Sequence, residues 1–219
     1  MAWVKEKKEV LAAARKMLAK GLVTGTAGNV SRRLKSEDGR ALLAITPSSR
    51  DYDGLSPEDI QILDFNAEKV EGDLKPSVET ALHIGIYRAR KDINAIVHTH
   101  SVYACALAAT GLPLPPILDE QAIYLGGEIK VAAYAPSGTK ELAKNAAAAL
   151  GKRNAVLLAN HGAVGVGKDV ATAFAAVELL EKTAQIYLSA LAAGKVTRLS
   201  AEAQKVARST HDTSRNASV

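Results

Sequence analysis

The chain has 219 residues, of which 47% are apolar, so it is long enough to form one domain with a sizeable core. The formal net charge is +5, but the basic residues are scattered and aromatic residues make up only 4% of the chain. This composition argues against a nucleic-acid-binding groove, which needs clustered basic residues interleaved with aromatic side chains. A single cysteine excludes an internal disulfide framework, and no apolar run approaches the ~20 residues of a membrane span.

The N-terminal segment is charged where a secretory signal peptide needs an apolar core, since residues 5–9 read Lys-Glu-Lys-Lys-Glu. We therefore expect a soluble, cytoplasmic protein with neither a membrane nor a nucleic-acid partner. The lone Cys105 lies in an apolar helical stretch, which favours a buried structural thiol over a reactive one.

Apolar spacing predicts helices and strands that mix along the chain. The predicted helices span 3–20, 77–90, 102–109, 139–150 and 170–191. The predicted strands cover 41–45, 60–64, 95–100, 129–134 and 155–159, and a glycine-rich loop at 25–31 runs into a further strand. Because helices and strands do not alternate strictly, the pattern indicates an α/β or α+β domain with a mixed sheet. We place this domain at residues 1–196, followed by a polar, loose tail at 197–219.

Two histidines stand at the end of an apolar strand. His98 and His100 are two positions apart, so a strand places both imidazoles on one face. One histidine on an apolar strand is usually a core residue, whereas a pair at this spacing before a loop favours metal ligation.

A third histidine follows another apolar strand. His161 lies between Asn160 and Gly162, and the glycine permits a sharp turn of the backbone. Together with His98 and His100 it forms a set of three neutral nitrogen ligands. Such a set suits Zn²⁺ and leaves a coordination position for substrate oxygens, as in catalytic zinc sites.

Glu79 is the carboxylate that we expect beside this metal. It stands at the start of the helix predicted after Ser77, where it could act as a general base or as a further ligand. His83 lies four positions later on the same helical face, so a second metal site formed by Glu79 and His83 is a weaker alternative.

Three polar loops have the composition of an anion-binding site: 25–31, 46–49 and 75–77. Each offers backbone N–H groups, hydroxyls or an amide, and the third opens a helix. Singly, each is an ordinary turn, and together they could form a phosphate cradle. Nucleotide binding is disfavoured, because residues 25–31 lack both the Walker lysine and the full dinucleotide fingerprint.

Together these motifs resemble the class II aldolase and adducin head family. The matching segments occur in family order at 25–31, 46–49, 75–79, 98–100 and 160–162. The combination is specific, although each segment alone is not. The resemblance covers roughly residues 5–190 and implies a central, mixed, largely antiparallel sheet flanked by helices.

The resemblance also implies the roles of individual residues. Zinc, one ion per subunit, would be held by His98, His100 and His161, with Glu79 at the metal and acting as the catalytic acid/base. The substrate phosphate would be bound by Gly28, Asn29, Ser48, Ser49 and Ser77. The family further implies a homotetramer with sites at subunit interfaces.

Two positions bear on which reaction is catalysed. The aldolase branch typically has a glutamate at the position of Glu79, where the epimerase branch has an aspartate, so the aldolase is favoured. Glu120 stands where an aldolase tyrosine is expected, and the dehydratase branch uses a glutamate in this region. Glu120 is therefore a second candidate catalytic residue, and Val78 replaces a serine that the aldolases often use for phosphate.

The leading hypothesis is a zinc-dependent aldolase that reversibly cleaves an L-fuculose 1-phosphate-like ketose 1-phosphate to dihydroxyacetone phosphate and an aldehyde. A sugar-phosphate 4-epimerase and a methylthioribulose-1-phosphate dehydratase remain alternatives within the family. A non-catalytic, adducin-like interaction module is less favoured, because such a module need not keep the histidine and glutamate set. Another divalent metal in place of zinc is also compatible with this set.

Overall fold

The structure is a computed structural model and describes residues 3–36 and 38–216. Its strands are β1 Asn29–Lys35, β2 Ala41–Ile45, β3 Gln61–Asp64, β4 Lys69–Glu71, β5 Ala95–Thr99, β6 Val131–Ala132, β7 Ala155–Leu158 and β8 Gly162–Gly167. Its helices are α1 Val4–Ala19, α2 Thr80–Ala89, α3 Val102–Thr110, α4 Lys140–Leu150, α5 Val170–Ala192 and α6 Ala201–Asn216. A π-helical turn spans Gln121–Leu125, and none of these helices is long and apolar enough to cross a membrane.

The eight strands form one sheet in the order β4-β3-β2-β1-β5-β8-β7-β6. Every neighbouring pair is antiparallel except β6 and β7, which are parallel. This arrangement confirms the predicted mixed, largely antiparallel sheet. It also makes β5 and β8 direct neighbours near the centre, with Thr99 opposite Ala163.

Helices cover both faces of the sheet, because successive strand residues point to opposite sides. Leu42 and Val97 belong to the core formed with α1 and the start of α5, whereas Leu43 and Ile96 belong to the core formed with α2 and α4. Burial of these two apolar faces fixes the register of the central strands and so fixes what lies at their ends.

The glycine-rich strand β8 was not predicted from its apolar pattern. Here Gly165 lies directly under α5, and a Cβ atom at this position would lie 2.7 Å from Val177 Cγ1 and 2.8 Å from the Ala173 carbonyl oxygen. Glycine is therefore needed for the helix to approach the strand. The strand predicted at 129–134 is shorter than expected, since only Val131–Ala132 pairs with β7.

The C-terminal segment differs from the predicted loose tail. Residues Ala201–Asn216 form α6, which packs against the π-helical turn; residues 217–219 lie outside the described part. Tyr124 Oη lies 3.1 Å from His211 Nε2, and the rings meet edge to face. Polar composition misled the prediction because α6 is an amphipathic helix that presents few large apolar residues.

Candidate metal centre

Four predicted site residues converge at one end of the central strands. His98 is the fourth residue of β5 and His100 follows that strand. His161 lies in the turn between β7 and β8, and Glu79 immediately precedes α2. One possible ligand atom from each of the four lies within 4.8 Å of the others, which makes this a candidate metal site.

The turn that carries His161 requires unusual backbone. Asn160 has a φ of +53°, in the left-handed region that asparagine tolerates better than most residues. A Cβ atom at residue 162 would collide with the Thr99 carbonyl oxygen and would lie 2.9 Å from the His100 ring. Gly162 therefore allows the β7–β8 turn to come close enough for His161 to join the other two histidines.

The distances between the four side chains suit one shared cation. His98 Nε2 lies 3.0 Å from His100 Nε2 and 2.9 Å from Glu79 Oε2, while His161 Nε2 lies 3.2 Å from Glu79 Oε1. Ligands of a tetrahedral zinc ion, bound at about 2.1 Å, are separated by roughly 3.4 Å. The observed separations are slightly shorter, so the residues present fit such an ion.

The tautomer of His98 is fixed by the backbone. Its Nδ1 lies 3.0 Å from the Ala163 carbonyl oxygen, to which only a protonated nitrogen can donate. Nε2 of the neutral ring then carries a lone pair directed at the other ligand atoms, which is the usual arrangement for metal-binding histidines. Nitrogen and carboxylate lone pairs this close are stabilised by a cation between them.

Burial and mutual proximity shift the titration of these groups. Burial opposes ionisation of Glu79, but the imidazoles of His98 and His161 outweigh it and hold the pKa of that carboxyl below its usual value. Burial, followed by the charges of the neighbouring imidazoles, lowers the pKa of His100 to about 4. Burial likewise lowers the pKa of His161, so near neutral pH both rings are in the neutral form that binds metals.

Both oxygens of Glu79 accept hydrogen bonds in addition to their contacts with the histidines. Ser137 Oγ donates to Oε1 at 2.9 Å, and Asn29 Nδ2 donates to Oε2 at 2.9 Å. The carboxylate is 3% exposed, so these two donors stabilise an ionised group that has little access to water. Sequence reasoning missed Ser137, because nothing in an ordinary Pro-Ser-Gly turn marks it as a partner of a residue 58 positions away.

The alternative of a second metal site at Glu79 and His83 is wrong. His83 is fully buried, and both of its ring nitrogens contact other side chains: Nε2 lies 2.5 Å from Asn29 Oδ1 and Nδ1 lies 2.6 Å from Ser31 Oγ. In the described part of the chain, His83 does not belong to the cluster that could hold a metal.

The loops predicted to bind phosphate lie side by side. The turn at 46–49 pairs with 75–77 through a bridge between Pro47 and Pro76, supported by hydrogen bonds from Ser48 N to the Lys75 carbonyl oxygen and from Ser77 N to the Thr46 carbonyl oxygen. Ser48 Oγ lies 3.3 Å from Ser49 Oγ. Ser77 Oγ in turn accepts from Glu79 N at 3.2 Å, so this pair of turns adjoins the residue that enters the metal cluster.

Gly28 and Asn29 lie at the start of β1, opposite His98. Gly28 has a φ of +72°, and a Cβ atom there would lie 2.6 Å from the His98 carbonyl oxygen, so only glycine fits. The Asn29 amide is directed at Glu79 and His83, which leaves one of its two N–H groups for another acceptor.

Glu120 does not join the metal cluster of its own chain. Its carboxylate forms an ion pair with Lys182 of α5 at 2.6 Å, beside the π-helical turn. The two residues line a cavity of about 800 Å³ together with Arg208 and His211. None of the four residues of the metal cluster lines this cavity.

The sheet and its three-histidine, one-glutamate cluster define an α/β domain with a candidate metal site. The family described as Class II Aldolase and Adducin N-terminal domain matches residues 8–188. The chain belongs to this family.

Among its relatives is the 5-deoxy-D-ribulose 1-phosphate aldolase of Bacillus thuringiensis serovar kurstaki, 41% identical over 87% of this chain and 88% of the relative. The 5-methylthioribulose-1-phosphate/5-deoxyribulose-1-phosphate aldolase of Rhodospirillum rubrum is 39% identical, over 80% of this chain and 76% of the relative. A solved structure of L-fuculose 1-phosphate aldolase matches with a TM-score of 0.90 and 38% identity, over 97% of this chain and 98% of that one. These relatives are aldolases, so the chain is related to enzymes and not only to interaction modules.

Proposed function

We propose that this protein is a zinc-dependent aldolase that reversibly cleaves a ketose 1-phosphate to dihydroxyacetone phosphate and an aldehyde. The observation that carries the proposal is the convergence of His98, His100 and His161 on the carboxylate of Glu79. Three neutral imidazoles suit zinc, although cobalt or manganese is compatible with the same ligands. A divalent cation held there supplies a Lewis acid that polarises the substrate's oxygens.

We propose 5-deoxypentulose 1-phosphates as the first substrates to test. The relatives from B. thuringiensis and R. rubrum are named as aldolases of such sugars, at 41% and 39% identity. L-Fuculose 1-phosphate is the next candidate, because a solved aldolase of that substrate shares the fold. The protein would act in sugar-phosphate metabolism in the cytoplasm.

The phosphate of the substrate would be held by the loop residues, which are Gly28, Asn29, Ser48, Ser49 and Ser77. Ser48 and Ser49 supply neighbouring hydroxyls, and Ser77 is the buried serine two residues before Glu79. A phosphate bound there would direct the neighbouring C2 carbonyl and C3 hydroxyl of the sugar toward the histidines. The loops thus orient the substrate, which is how remote binding contacts contribute to catalysis.

Glu79 would carry the proton on the dihydroxyacetone phosphate side. In the condensation direction the ionised Glu79 would remove a proton from C3 of dihydroxyacetone phosphate. In the cleavage direction C3 keeps the electron pair as the C3–C4 bond breaks and would receive a proton through Glu79, which must first take that proton from solvent. The C4 hydroxyl loses its proton as the aldehyde forms. We assign this second proton to Glu120.

Glu120 could serve a neighbouring subunit's site, because in its own chain it pairs with Lys182 outside the cluster. This assignment requires an oligomer, and we propose a homotetramer whose sites lie at subunit interfaces. It does not alter the roles of Glu79 and the histidines.

The proposal is tested with zinc-loaded protein and a panel of ketose 1-phosphates, with products identified by NMR. The expected result is release of dihydroxyacetone phosphate from at least one 5-deoxypentulose 1-phosphate, lost on chelation. An intact sugar phosphate with inverted C4 would identify an epimerase, and loss of water without carbon–carbon cleavage would identify a dehydratase. Either product in place of dihydroxyacetone phosphate would overturn the aldolase proposal.

A further inference from the structure

We propose that His83 is a positioning residue, whose ring fixes the amide of Asn29 and thereby the carboxylate of Glu79. For its kinetic readout this inference rests on the proposed aldolase function. Its structural readout, the tautomer of the His83 ring measured by NMR, does not depend on any activity. The ring of His83 hydrogen-bonds to Asn29 and Ser31 and to no side chain of the metal cluster, so it acts through Asn29.

A buried series of hydrogen bonds leads from Tyr87 to the Glu79 carboxylate of the metal cluster. Tyr87 Oη lies 2.9 Å from Ser31 Oγ, which lies 2.6 Å from His83 Nδ1. On the other side of the ring, His83 Nε2 lies 2.5 Å from Asn29 Oδ1, and Asn29 Nδ2 donates to Glu79 Oε2 at 2.9 Å. All five side chains are less than 9% exposed, so water does not replace these partners readily.

The ionised carboxylate of Glu79 determines the donor and the acceptor in each hydrogen bond of this series. A carboxylate only accepts, so Asn29 must present its NH₂ group to Glu79 and its oxygen to His83. The ring must then carry its proton on Nε2, and its Nδ1 must accept from Ser31. Ser31 Oγ, 2.6 Å from Nδ1, is a hydroxyl that can donate to it, and Tyr87 Oη at 2.9 Å can donate to Ser31 in turn.

The Asn29 amide has an orienting partner at each end, the carboxylate of Glu79 on its nitrogen and the ring of His83 on its oxygen. The two orientations of an asparagine amide have nearly the same shape, and hydrogen-bond partners decide between them. A flipped amide would place Oδ1 where Nδ2 now lies, next to an oxygen of Glu79, and the two would repel. It would also turn NH₂ toward the Nε2–H of His83, so the ring adds a second penalty to the wrong orientation and holds the amide from the end that Glu79 does not contact.

A purely structural role for His83 is the competing explanation, since buried polar networks also stabilise packing. The two explanations differ in what a substitution changes. A positioning role predicts that the turnover depends on the donor at Nε2, whereas a packing role predicts that it depends only on filling the space. Leucine fills the space without a donor, and glutamine places a donor NH₂ near the position of Nε2.

The experiment compares His83→Leu, His83→Gln and the packing control Ile86→Val, with activity normalised to bound zinc. Ile86 is a fully buried residue of the same helix that takes no part in the hydrogen-bond chain. We expect H83L to lower kcat about 10- to 100-fold, the usual effect of losing a partner that orients a site group, with KM changed less than about twofold. H83Q should recover kcat to within about threefold of the wild type, and I86V should keep the wild-type kcat.

Three kinetic results would overturn the inference. They are a wild-type kcat in folded H83L, an equal loss in H83L and H83Q, or a change confined to KM. An I86V variant as impaired as H83L would also overturn it, because packing alone would then explain the loss.

A second readout separates failure of this inference from failure of the proposed function. NMR of ¹⁵N-histidine-labelled protein reports which ring nitrogen carries the proton, and H83Q identifies the His83 signals among the five histidines of the chain. The inference expects the Nε2–H tautomer for His83, and the Nδ1–H tautomer would overturn it. If no ketose 1-phosphate is cleaved, the aldolase proposal fails and this measurement alone decides the role of His83.

Discussion

Ser137 donates its hydroxyl to Oε1 of Glu79 at 2.9 Å, across the mouth of the candidate metal centre. The serine lies in the loop between β6 and α4, whereas the glutamate immediately precedes α2. Because α2 packs closely on α4, the loop is held beside the carboxylate. The contact therefore joins the proposed proton carrier to a part of the chain that carries no metal ligand.

Replacing Ser137 by alanine should lower kcat about 10-fold, because it removes a hydrogen bond to the buried carboxylate of Glu79, which contributes about 1.5 kcal/mol. Metal content should be unchanged, since Ser137 contacts no histidine of the cluster. Steady-state kinetics together with metal analysis of Ser137→Ala checks this. A protein with normal kcat but reduced zinc would assign the serine to the metal and not to Glu79.

Metal removal should abolish activity, and zinc or cobalt should restore it. His100→Ala should bind metal at least about 10-fold more weakly, because it removes one of three imidazole ligands. Cys105→Ala is the matched control, since the hydrogen bond of Cys105 Sγ goes to the backbone oxygen of His161, at 3.5 Å, and not to a ligand atom, so the variant should keep full metal binding. The measurement is metal content after dialysis against graded chelator. Equal retention in H100A and wild type would exclude His100 as a ligand.

The metal cluster was largely predictable from the sequence, because its signals are local. His98 and His100 are related by the two-residue period of a strand, and His161 follows an apolar run and precedes glycine. The antiparallel pairing of β5 with β8 then brings the two ends together. The one feature that the sequence does not reveal is the register in which these distant strands pair.

The hydrogen bonds around Glu79 could not be predicted in the same way. Ser31 and His83 are 52 positions apart and meet because Ser31 lies on the same sheet face as Ile45 and Ile96, the face that α2 covers. Their residue types are common in strands and helices, so neither carries a local signal. The α6 helix was missed for a related reason, since its contacts with the π-helical turn are tertiary and its polar sequence resembles a flexible tail.

The serine hydroxyls of the phosphate loops should affect substrate binding more than turnover. Ser48→Ala and Ser77→Ala should each raise KM about 10-fold for a phosphorylated ketose, with kcat within about twofold. The preference for the phosphorylated over the unphosphorylated sugar should fall by the same factor. Ser189→Ala, at an exposed position of α5, is the control and should change neither constant. If the variants keep the wild-type preference for the phosphorylated over the unphosphorylated sugar, these serines do not bind the phosphate.

The burial of neutral His83 should make the metal-free protein less stable in acid. The pKa of this histidine is lowered from 6.5 to about 3 by burial. Protons therefore bind the unfolded state more readily, and the stabilising contribution, complete above about pH 6.5, is lost as pH falls toward about 3. Between pH 7 and pH 5 the free energy of unfolding should fall by about 2 kcal/mol from this group.

Denaturant unfolding of wild type and His83→Gln at pH 7 and pH 5 checks the contribution of His83. Glutamine does not titrate, so the variant should lose about 2 kcal/mol less than the wild type over this interval. Other buried histidines, such as His100, titrate in both proteins and cancel in the comparison. Equal pH dependence in the two proteins would show that His83 is not protonated differently on unfolding.

Glu120 offers a test of where a complete site is assembled. If Glu120 serves a neighbouring subunit, Glu79→Gln and Glu120→Gln chains are each inactive alone but complement each other in mixed tetramers. In random 1:1 mixtures about one site in four combines an intact Glu79 with a neighbour's intact Glu120, so about a quarter of wild-type activity should return. The measurement is activity after joint unfolding and refolding, with Glu79→Gln mixed with Glu79→Ala as the control that cannot recover. No recovery in the first mixture, with tetramers present, would place Glu120 outside the reaction or in the site of its own chain.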